Sequence, residues 1–498
     1  MNKKRIHRSL GFTLTLTTLL ACNSELDDPV GDNTEYNSGN ADLSHFVSLG
    51  DSLTAGYADG ALYLHGQKNS YPAILAAQFA KVGGGDFNQP LVSDNLGGLL
   101  FNGNTSSEFP NRLVLNAETE SPEPISGTPT TEVFSPLSGP FNNLGVPGAK
   151  SFHLVTPGYG DPAGVSAEPA TANPYFVRFA SAANTTMLND AASQQPSIFV
   201  LWIGNNDVLS YATSGGTGVD RLGNLDPATY ASNDITDPSL FAGIYSQIVS
   251  ALSADGGSGV LVNIADISAI PFFTTVPFNA LPLQDQATVD LLNASYAVYN
   301  SGLQAAFQEG DISEIERDKR TILFSVGQNA VVIKDEELTD LSGLGLPRNI
   351  RQATADDLIL LTTASKIGEP VSKDDSRAWG VSAALLDEDV LIPEEINLIS
   401  TARTAFNASI QAISGSNDKL LFVDAAALLN DVQDGLNYGT GSVNATYATG
   451  GAFSLDGIHL TARGYAVVSN EIIDTINTGF EANIPKVDPE AFSTVFFK

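Results

Sequence analysis

Phe46-Val47-Ser48-Leu49-Gly50-Asp51-Ser52-Leu53 is an apolar run that ends in a turn. The run predicts a short buried strand over 45–49. A strand ending in Gly-Asp-Ser leaves a serine on a sharp turn at the carboxyl edge of a sheet. In open α/β folds, ligands bind along that edge. A serine hydroxyl is a weak nucleophile until a neighbouring base takes its proton, and that base needs a third group to orient it. The meaning of this turn therefore rests on partners further along the chain.

The chain has five histidines, so the search for a base is short. His7 lies in a basic N-terminal segment, His45 precedes the first strand, His65 sits in a Gly/Tyr-rich loop, and His153 follows a glycine turn. His459 lies in Leu455-Asp456-Gly457-Ile458-His459-Leu460-Thr461, just ahead of a helical pattern. Asp456, three residues earlier on one turn, is close enough to contact the imidazole. Acyl transfer also needs donors aimed at the oxyanion of a tetrahedral intermediate. Asn143-Leu144-Gly145-Val146-Pro147-Gly148-Ala149 contains a glycine turn whose N–H can approach a ligand closely. Ser197 to Ile203 reads as a buried strand, and Gly204-Asn205-Asn206-Asp207 follows it. An amide there would reach the same edge as Ser52.

These four blocks, in this order, resemble those of the SGNH, or GDSL, hydrolase family. The resemblance implies Ser52 as nucleophile, His459 as general base and Asp456 as its orienter. It implies an oxyanion hole built from the N–H groups of Ser52 and Gly148 and the side chain of Asn206. Asn205 and Asp207 are expected to hold the turn. No block departs from the family pattern at one of these positions. No cofactor is implied, and the sequence offers no metal-ligand spacing and no phosphate loop.

One site drawing on residues 50 to 459 argues for a single α/β domain with insertions, although 498 residues would suggest about three domains. Five runs read as strands of a parallel sheet: 45–49, 141–145, 197–203, 259–264 and 420–424. Helical patterns alternate with them, including one capped by Ser70, one at 238–253, one at 392–413 and one capped by Thr461. The expected fold is a three-layer α/β/α sandwich with a doubly wound parallel sheet of about five strands. The hydrolase domain is expected over 41–482, with insertions at about 86–140 and 275–418 and a C-terminal tail over 483–498. The first insertion, least periodic over 102–140, reads as a wall of the cleft. The second carries an amphipathic helix with Leu292, Tyr296, Tyr299, Leu303 and Phe307 on one stripe, a β-like run over 321–326 and a helical run over 356–361. The stripe reads as core, and the insertion is also a candidate lid over the site; both readings can hold for different faces.

Residues 1–21 read as a targeting segment, with Lys3, Lys4, Arg5 and Arg8 ahead of an apolar stretch too short to span a bilayer. The segment ends Leu19-Leu20-Ala21, and Cys22 is the only cysteine in the chain. A lone cysteine there resembles the lipobox of a bacterial lipoprotein, which implies lipidation of Cys22, attachment to a membrane and a place in the bacterial cell envelope. Residues 22–40 read as a flexible tether. Without the leader the chain has 20 basic and 56 acidic side chains, a net charge of −36. That argues against nucleic acid as a partner. The expected substrate is a small or polymeric carboxylic ester. Acyl esters of lipids and O-acetylated glycans both stay open: a roomy apolar pocket under the second insertion would favour the former, a shallow polar cleft the latter. A surface-binding lipoprotein that has kept the fold without catalysis is the rival from another class.

Overall fold

The computed structural model describes residues 35–498 apart from 348 and 440. The expected leader, Cys22 and the tether up to residue 34 lie outside the described residues. Five strands form one sheet: β1 Phe46–Gly50, β2 Asn143–Gly145, β3 Ile198–Trp202, β4 Ser258–Val262 and β5 Leu420–Val423. Their order is β5-β4-β3-β1-β2, and every pairing is parallel.

The helices that frame the site are α1 Tyr71–Phe79, α2 Asn206–Thr213, α3 Pro238–Leu252, α4 Gln286–Glu309, α5 Pro393–Ser414, α6 Ala425–Asp434 and α7 Ala462–Gly479. Strand side chains alternate between faces, and each face has its own helices. Ile198, Val200 and Trp202 of β3 pack with Ile74 and Leu75 of α1 and with Ile472, Ile473 and Ile476 of α7. Phe199 and Leu201 pack instead with Phe241 and Ile248 of α3 and with Phe406 and Ile410 of α5. The result is a doubly wound α/β/α sandwich. The expected caps are in place: the Ser70 hydroxyl accepts from Ala73 N–H, and that of Thr461 from Gly464 N–H. Residues 37–40, at the end of the expected tether, are bonded to the body. Asn37 exchanges backbone hydrogen bonds with Asn483, and Asn40 N–H donates to Phe480.

The second insertion has a core of its own between Val276 and Ile392, built around Tyr296, Tyr299 and Leu303 of α4. Its helix follows the expected stripe, but two other expectations fail. Residues 321–326 form no strand. Ile322 and Phe324 are buried and Leu323 between them is exposed, as in a strand, but Val326, on the face of Ile322 and Phe324, is exposed and breaks the alternation. Side-chain amides of α4 take the place of a neighbouring strand for the two buried residues: Asn300 exchanges two hydrogen bonds with Ile322, and Asn293 two with Phe324. The run over 356–361 is not helical. Leu358–Ile359 pairs antiparallel with Val390–Leu391. Asp357 beside it makes a bidentate pair with the buried Arg351, at 2.6 Å for each bond, and takes Thr354 N–H as well. Asp335 pairs with the Nε side of the same guanidinium; loss of Asp357 would leave the other side of this buried cation without its carboxylate, a destabilising change, so the ion pair overrides helix propensity. The insertion also ends earlier than expected, because α5 packs on α3 and β5 in the sandwich.

Where insertion and sandwich meet, Glu336, Asp387 and Glu395 bring carboxylate oxygens within 4.8 Å of one another. Glu395 lies in the first turn of α5, buried, and accepts from Ile392 N–H. Burial raises its carboxyl well above the usual range, against the pull of that N–H, and the two neighbouring carboxylates raise it further. The folded chain therefore holds this proton more tightly than the unfolded chain does. Its contribution favours the fold below the unfolded carboxyl range and is lost as pH rises toward the raised value. Glu395→Gln keeps an acceptor for Ile392 and has no proton to lose. Melting curves of the two proteins should nearly coincide at pH 4, with the variant more stable by about 1 kcal/mol or more at pH 8. A variant no more stable than the parent at pH 8 would mean that the carboxylate is neutralised in another way.

Candidate active site

Parallel register sets the geometry. Gly50 of β1 lies opposite Gly145 of β2 and Trp202 of β3. Three strands therefore end level, and Ser52, Gly148 and Asn206 each follow within four residues of that edge. β1 lies between β2 and β3, so the chain leaves it in opposite directions at this point, the place where doubly wound sheets open a crevice. Gly50 permits the tight exit, since a Cβ there would lie 2.2 Å from both the Thr54 hydroxyl and the Trp202 carbonyl.

Ser52 opens a four-residue helical turn, Ser52–Ala55, that Asp51 caps by accepting from Leu53 N–H. Its Oγ lies 2.8 Å from His459 Nε2. His459 Nδ1 lies 2.9 Å from Asp456 Oδ2. An ionised Asp456 can only accept, so Nδ1 carries the proton and Nε2 is left to accept from the serine. Burial alone would raise the Asp456 carboxyl. The adjacent His459 and the hydrogen bonds from His459 and Ile458 more than reverse that and hold it well below the usual carboxylate range. Five donors converge on it: Ser454 Oγ, Ile458 N–H and His459 N–H on Oδ1, Gly60 N–H and His459 Nδ1 on Oδ2. The loop bearing both residues is a hairpin, closed by Ser454 N–H to the His459 carbonyl at 2.8 Å and by the Phe453–Leu460 bridge. Its far end is fixed by α7, where buried Tyr465, Ile472, Ile473 and Ile476 each contribute roughly 1.5–3 kcal/mol.

The oxyanion candidates come together through their loops. Asn206 Nδ2 donates to the Ala149 carbonyl at 3.0 Å, beside Gly148. Gly148 is exposed with a left-handed φ of 79°. Among the described residues, neither its N–H nor that of Ser52 has a hydrogen-bond acceptor. Asn205 and Asp207 tie the turn down, as the sequence suggests. Asn205 Nδ2 donates to Asp51 Oδ2 at 3.0 Å, and Asp207 accepts from both the N–H and the hydroxyl of Ser151. Burial pushes Asp51 up to about 6, with Asn205, Leu53 N–H and His459 pulling it back. His153 lies elsewhere. Burial, and then Lys150, push its imidazole down to about 3, and its Nδ1 accepts from Lys150 N–H.

Three features went unread in the sequence. The Tyr57 ring lies 4.6 Å from the His459 ring, centroid to centroid. Asp59 and Gly60 brace the Asp456 loop. A cleft opens beside Ser52 and His459. Aliphatic and aromatic side chains line it, among them Ile267, Leu429, Val432, Phe453 and Val467, with Asn205 as the other polar member besides the indole of Trp202. No described residue of 86–140 or 275–418 lines it. A Gly-Asp-Ser turn and an Asp-x-x-His turn are local patterns, whereas this cleft gathers isolated apolar residues from distant elements.

The GDSL-like Lipase/Acylhydrolase family model matches residues 46–472. No curated protein and no solved structure matches the chain. The chain belongs to the GDSL-like lipase/acylhydrolase family and is a hydrolase of ester bonds.

Gly148 offers a direct test of the loop geometry. A Cβ there would meet only Asn173 Nδ2, at 4.0 Å, so Gly148→Ala introduces backbone strain without a clash. It should lower stability by about 1–2 kcal/mol and slow ester turnover by more than tenfold as the loop relaxes, an effect of roughly 1.4 kcal/mol or more. Thermal melts and steady-state kinetics on one preparation measure both, and unchanged turnover in a strained variant would remove Gly148 from the site.

Proposed function

We propose that this ester hydrolase cleaves carboxylic esters of acyl chains through an acyl-enzyme on Ser52. The observation that carries the reading is the apolar cleft that Ser52 and His459 help to line. His459 Nε2 takes the Ser52 proton as Oγ bonds to the ester carbonyl carbon, and the carbonyl oxygen becomes an oxyanion. The N–H groups of Ser52 and Gly148 and the Asn206 amide stabilise it. Collapse expels the alcohol, which takes its proton from His459. Water then adds to the acyl-enzyme by the same route in reverse, and the carboxylic acid leaves. Asp456 holds the tautomer and stabilises the imidazolium. The acyl chain occupies the cleft, where each buried CH₂ is worth about 0.8 kcal/mol. An acetyl group would leave that surface uncovered.

The test is hydrolysis of p-nitrophenyl esters of increasing length, with acetylated xylan and a phospholipid alongside. kcat/KM should rise by at least about tenfold between acetate and a six- to eight-carbon ester, and Ser52→Ala should abolish the reaction. A fluorophosphonate should label the parent at Ser52 and nowhere else. A profile that peaks at acetate, with acetylated xylan as the better substrate, would reverse the substrate assignment. Full activity in Ser52→Ala would overturn the mechanism.

The proposal extends to the N-terminus. Cys22, the one cysteine, follows Leu19-Leu20-Ala21, and we infer that it carries lipid and holds the enzyme to a membrane of the bacterial envelope. One acyl chain binds membranes only marginally, whereas two or more hold firmly. Cys22→Ser should move the protein into the soluble fraction with its esterase kinetics unchanged. Mass spectrometry of the mature N-terminus decides the matter, and an unmodified Cys22 would refute the anchor.

A further inference from the structure

Asp59 is a buried carboxylate in an unusual backbone position. Its φ is 52°, left-handed, where few residues other than glycine and asparagine or aspartate settle. It sits between Tyr57, whose ring lies against His459, and Gly60, whose N–H donates to Asp456 Oδ2 at 2.9 Å. Asp59 N–H donates to Ser454 Oγ at 2.9 Å, and the Ser454 hydroxyl donates in turn to Asp456 Oδ1 at 3.1 Å. Asp59 Oδ1 accepts from Leu455 N–H at 3.1 Å, and Oδ2 accepts from the Tyr63 hydroxyl at 2.8 Å. Residues 454, 455 and 456 are thus each held by the two residues Asp59 and Gly60.

We propose that Asp59 is a positioning residue for ester hydrolysis: it fixes the 454–456 segment so that Asp456 keeps His459 aimed at Ser52. The proposal rests on the reading of Ser52, His459 and Asp456 as the reacting groups. Asp59 itself touches no substrate. It acts through Ser454 and Leu455, across nearly 400 residues of sequence.

Two observations set this apart from ordinary packing. The first is direction. Ser454 has one hydroxyl proton, which goes to Asp456, so its lone pair is free for the Asp59 N–H; the chain Asp59 N–H to Ser454 to Asp456 has no alternative polarity, because an ionised Asp456 cannot donate. The second is cost. Asp59 is 2% exposed, and burial pushes it up to about 6, against Leu455 N–H and Tyr63. A buried carboxylate is an expensive way to hold one loop N–H. Behind it, the Arg112 guanidinium lies 4.9 Å from the Tyr63 ring centroid and 4.5 Å from that of Phe496. Leu113 N–H, next to Arg112, donates to the Asp59 carbonyl at 2.8 Å. The first insertion and the C-terminal segment therefore back this loop, although neither lines the cleft.

The experiment compares Asp59→Ala, Asp59→Asn, Tyr63→Phe, Ser454→Ala and the Asp59→Ala/Ser454→Ala double variant in the full chain. Turnover of p-nitrophenyl hexanoate and the rate of fluorophosphonate labelling are both measured. Asp59→Ala should lower kcat by about 30- to 100-fold, as for a catalytic group displaced by a fraction of an ångström, with KM altered less than about twofold. Asp59→Asn tolerates the left-handed backbone and offers an acceptor to Leu455, so it should restore kcat to within about fivefold of the parent. Asp59→Ala keeps the N–H that bonds Ser454 and loses the bond to Leu455, while Ser454→Ala loses the other; both loosen the same 454–456 segment, so the double variant should lose less than the product of the two single losses.

The proposal falls if folded Asp59→Ala keeps kcat within about twofold, if its only defect is in KM, or if the Asp59 and Ser454 losses multiply as independent sites would. Should Asp59→Ala not fold, Tyr63→Phe removes one hydrogen bond from Asp59 and carries the same coupling test with Ser454→Ala. Ser52→Ala, run beside these, separates the two levels. Full activity there overturns the active-site reading itself. Loss there, with Asp59→Ala and Tyr63→Phe unaffected, overturns the role of Asp59 alone.

Discussion

The Asp456 carboxylate is the constraint on which the site depends. It is buried, and a buried carboxylate stays ionised only if donors surround it. Two of its donors are main-chain N–H groups of its own turn, one is the Ser454 hydroxyl, one is Gly60 N–H and one is the imidazole. Four of the five exist whether or not the His459 imidazole is in place. The charge is thus stabilised before the imidazole joins it, and the remaining lone pair is directed at Nδ1. Ring orientation and tautomer follow from that one bond, and the 2.8 Å contact of Nε2 with Ser52 follows from ring orientation. Preorganisation of this kind avoids rearranging dipoles as charge develops.

The opposite side of the site is held by the same logic with other groups. Asp51, Asn205, Asn206 and Asp207 lie on two neighbouring turns, and each side chain crosses to another loop or to the other turn. Asn205 reaches Asp51, Asn206 reaches Ala149, and Asp207 reaches Ser151. Loops after β1, β2 and β3 are thereby fixed to one another at the level where the strands end in register. None of these bonds needs a regular element. The sheet brings three chain segments to within side-chain reach, and short polar side chains set the final ångström.

Sequence carried the sheet and the local turns well, for a physical reason. The apolar runs of β1, β3 and β4 are buried on both faces, and that of the edge strand β5 partly so, and hydrophobicity alone marks them. Ser70 and Thr461 act on N–H groups three residues away, and Asp456 and His459 share one turn. What escaped is what depends on distant partners. Ile322 and Phe324 alternate like a strand, yet their partners are Asn300 and Asn293 of a helix. Asp357 follows no helical rule because Arg351 claims it. Asp59 looks like an ordinary loop acid until Leu455, 396 positions away, is placed beside it.

The second insertion illustrates how an addition of this size can leave a site intact. It leaves the sandwich after the segment that follows β4 and returns before α5, with its own core in between. Ile267 and Ile270, on the stretch just before it departs, line the cleft, while the insertion itself does not. Its approach to the triad loop is through Leu361, which packs where a Cβ on Gly457 would sit, 2.9 Å from its Cδ2. Gly457, with a φ of 73°, lies between Asp456 and His459. The insertion therefore bears on the turn that sets the imidazole, not on the space an acyl chain would fill. What it approaches there is the backbone of the Asp456–His459 turn, which the loop of Asp59 and Gly60 braces by separate hydrogen bonds. Asp59, Gly60 and Phe272, none of them in the insertion, each hydrogen-bond to residues 454–457, so the geometry of that turn does not depend on the insertion alone.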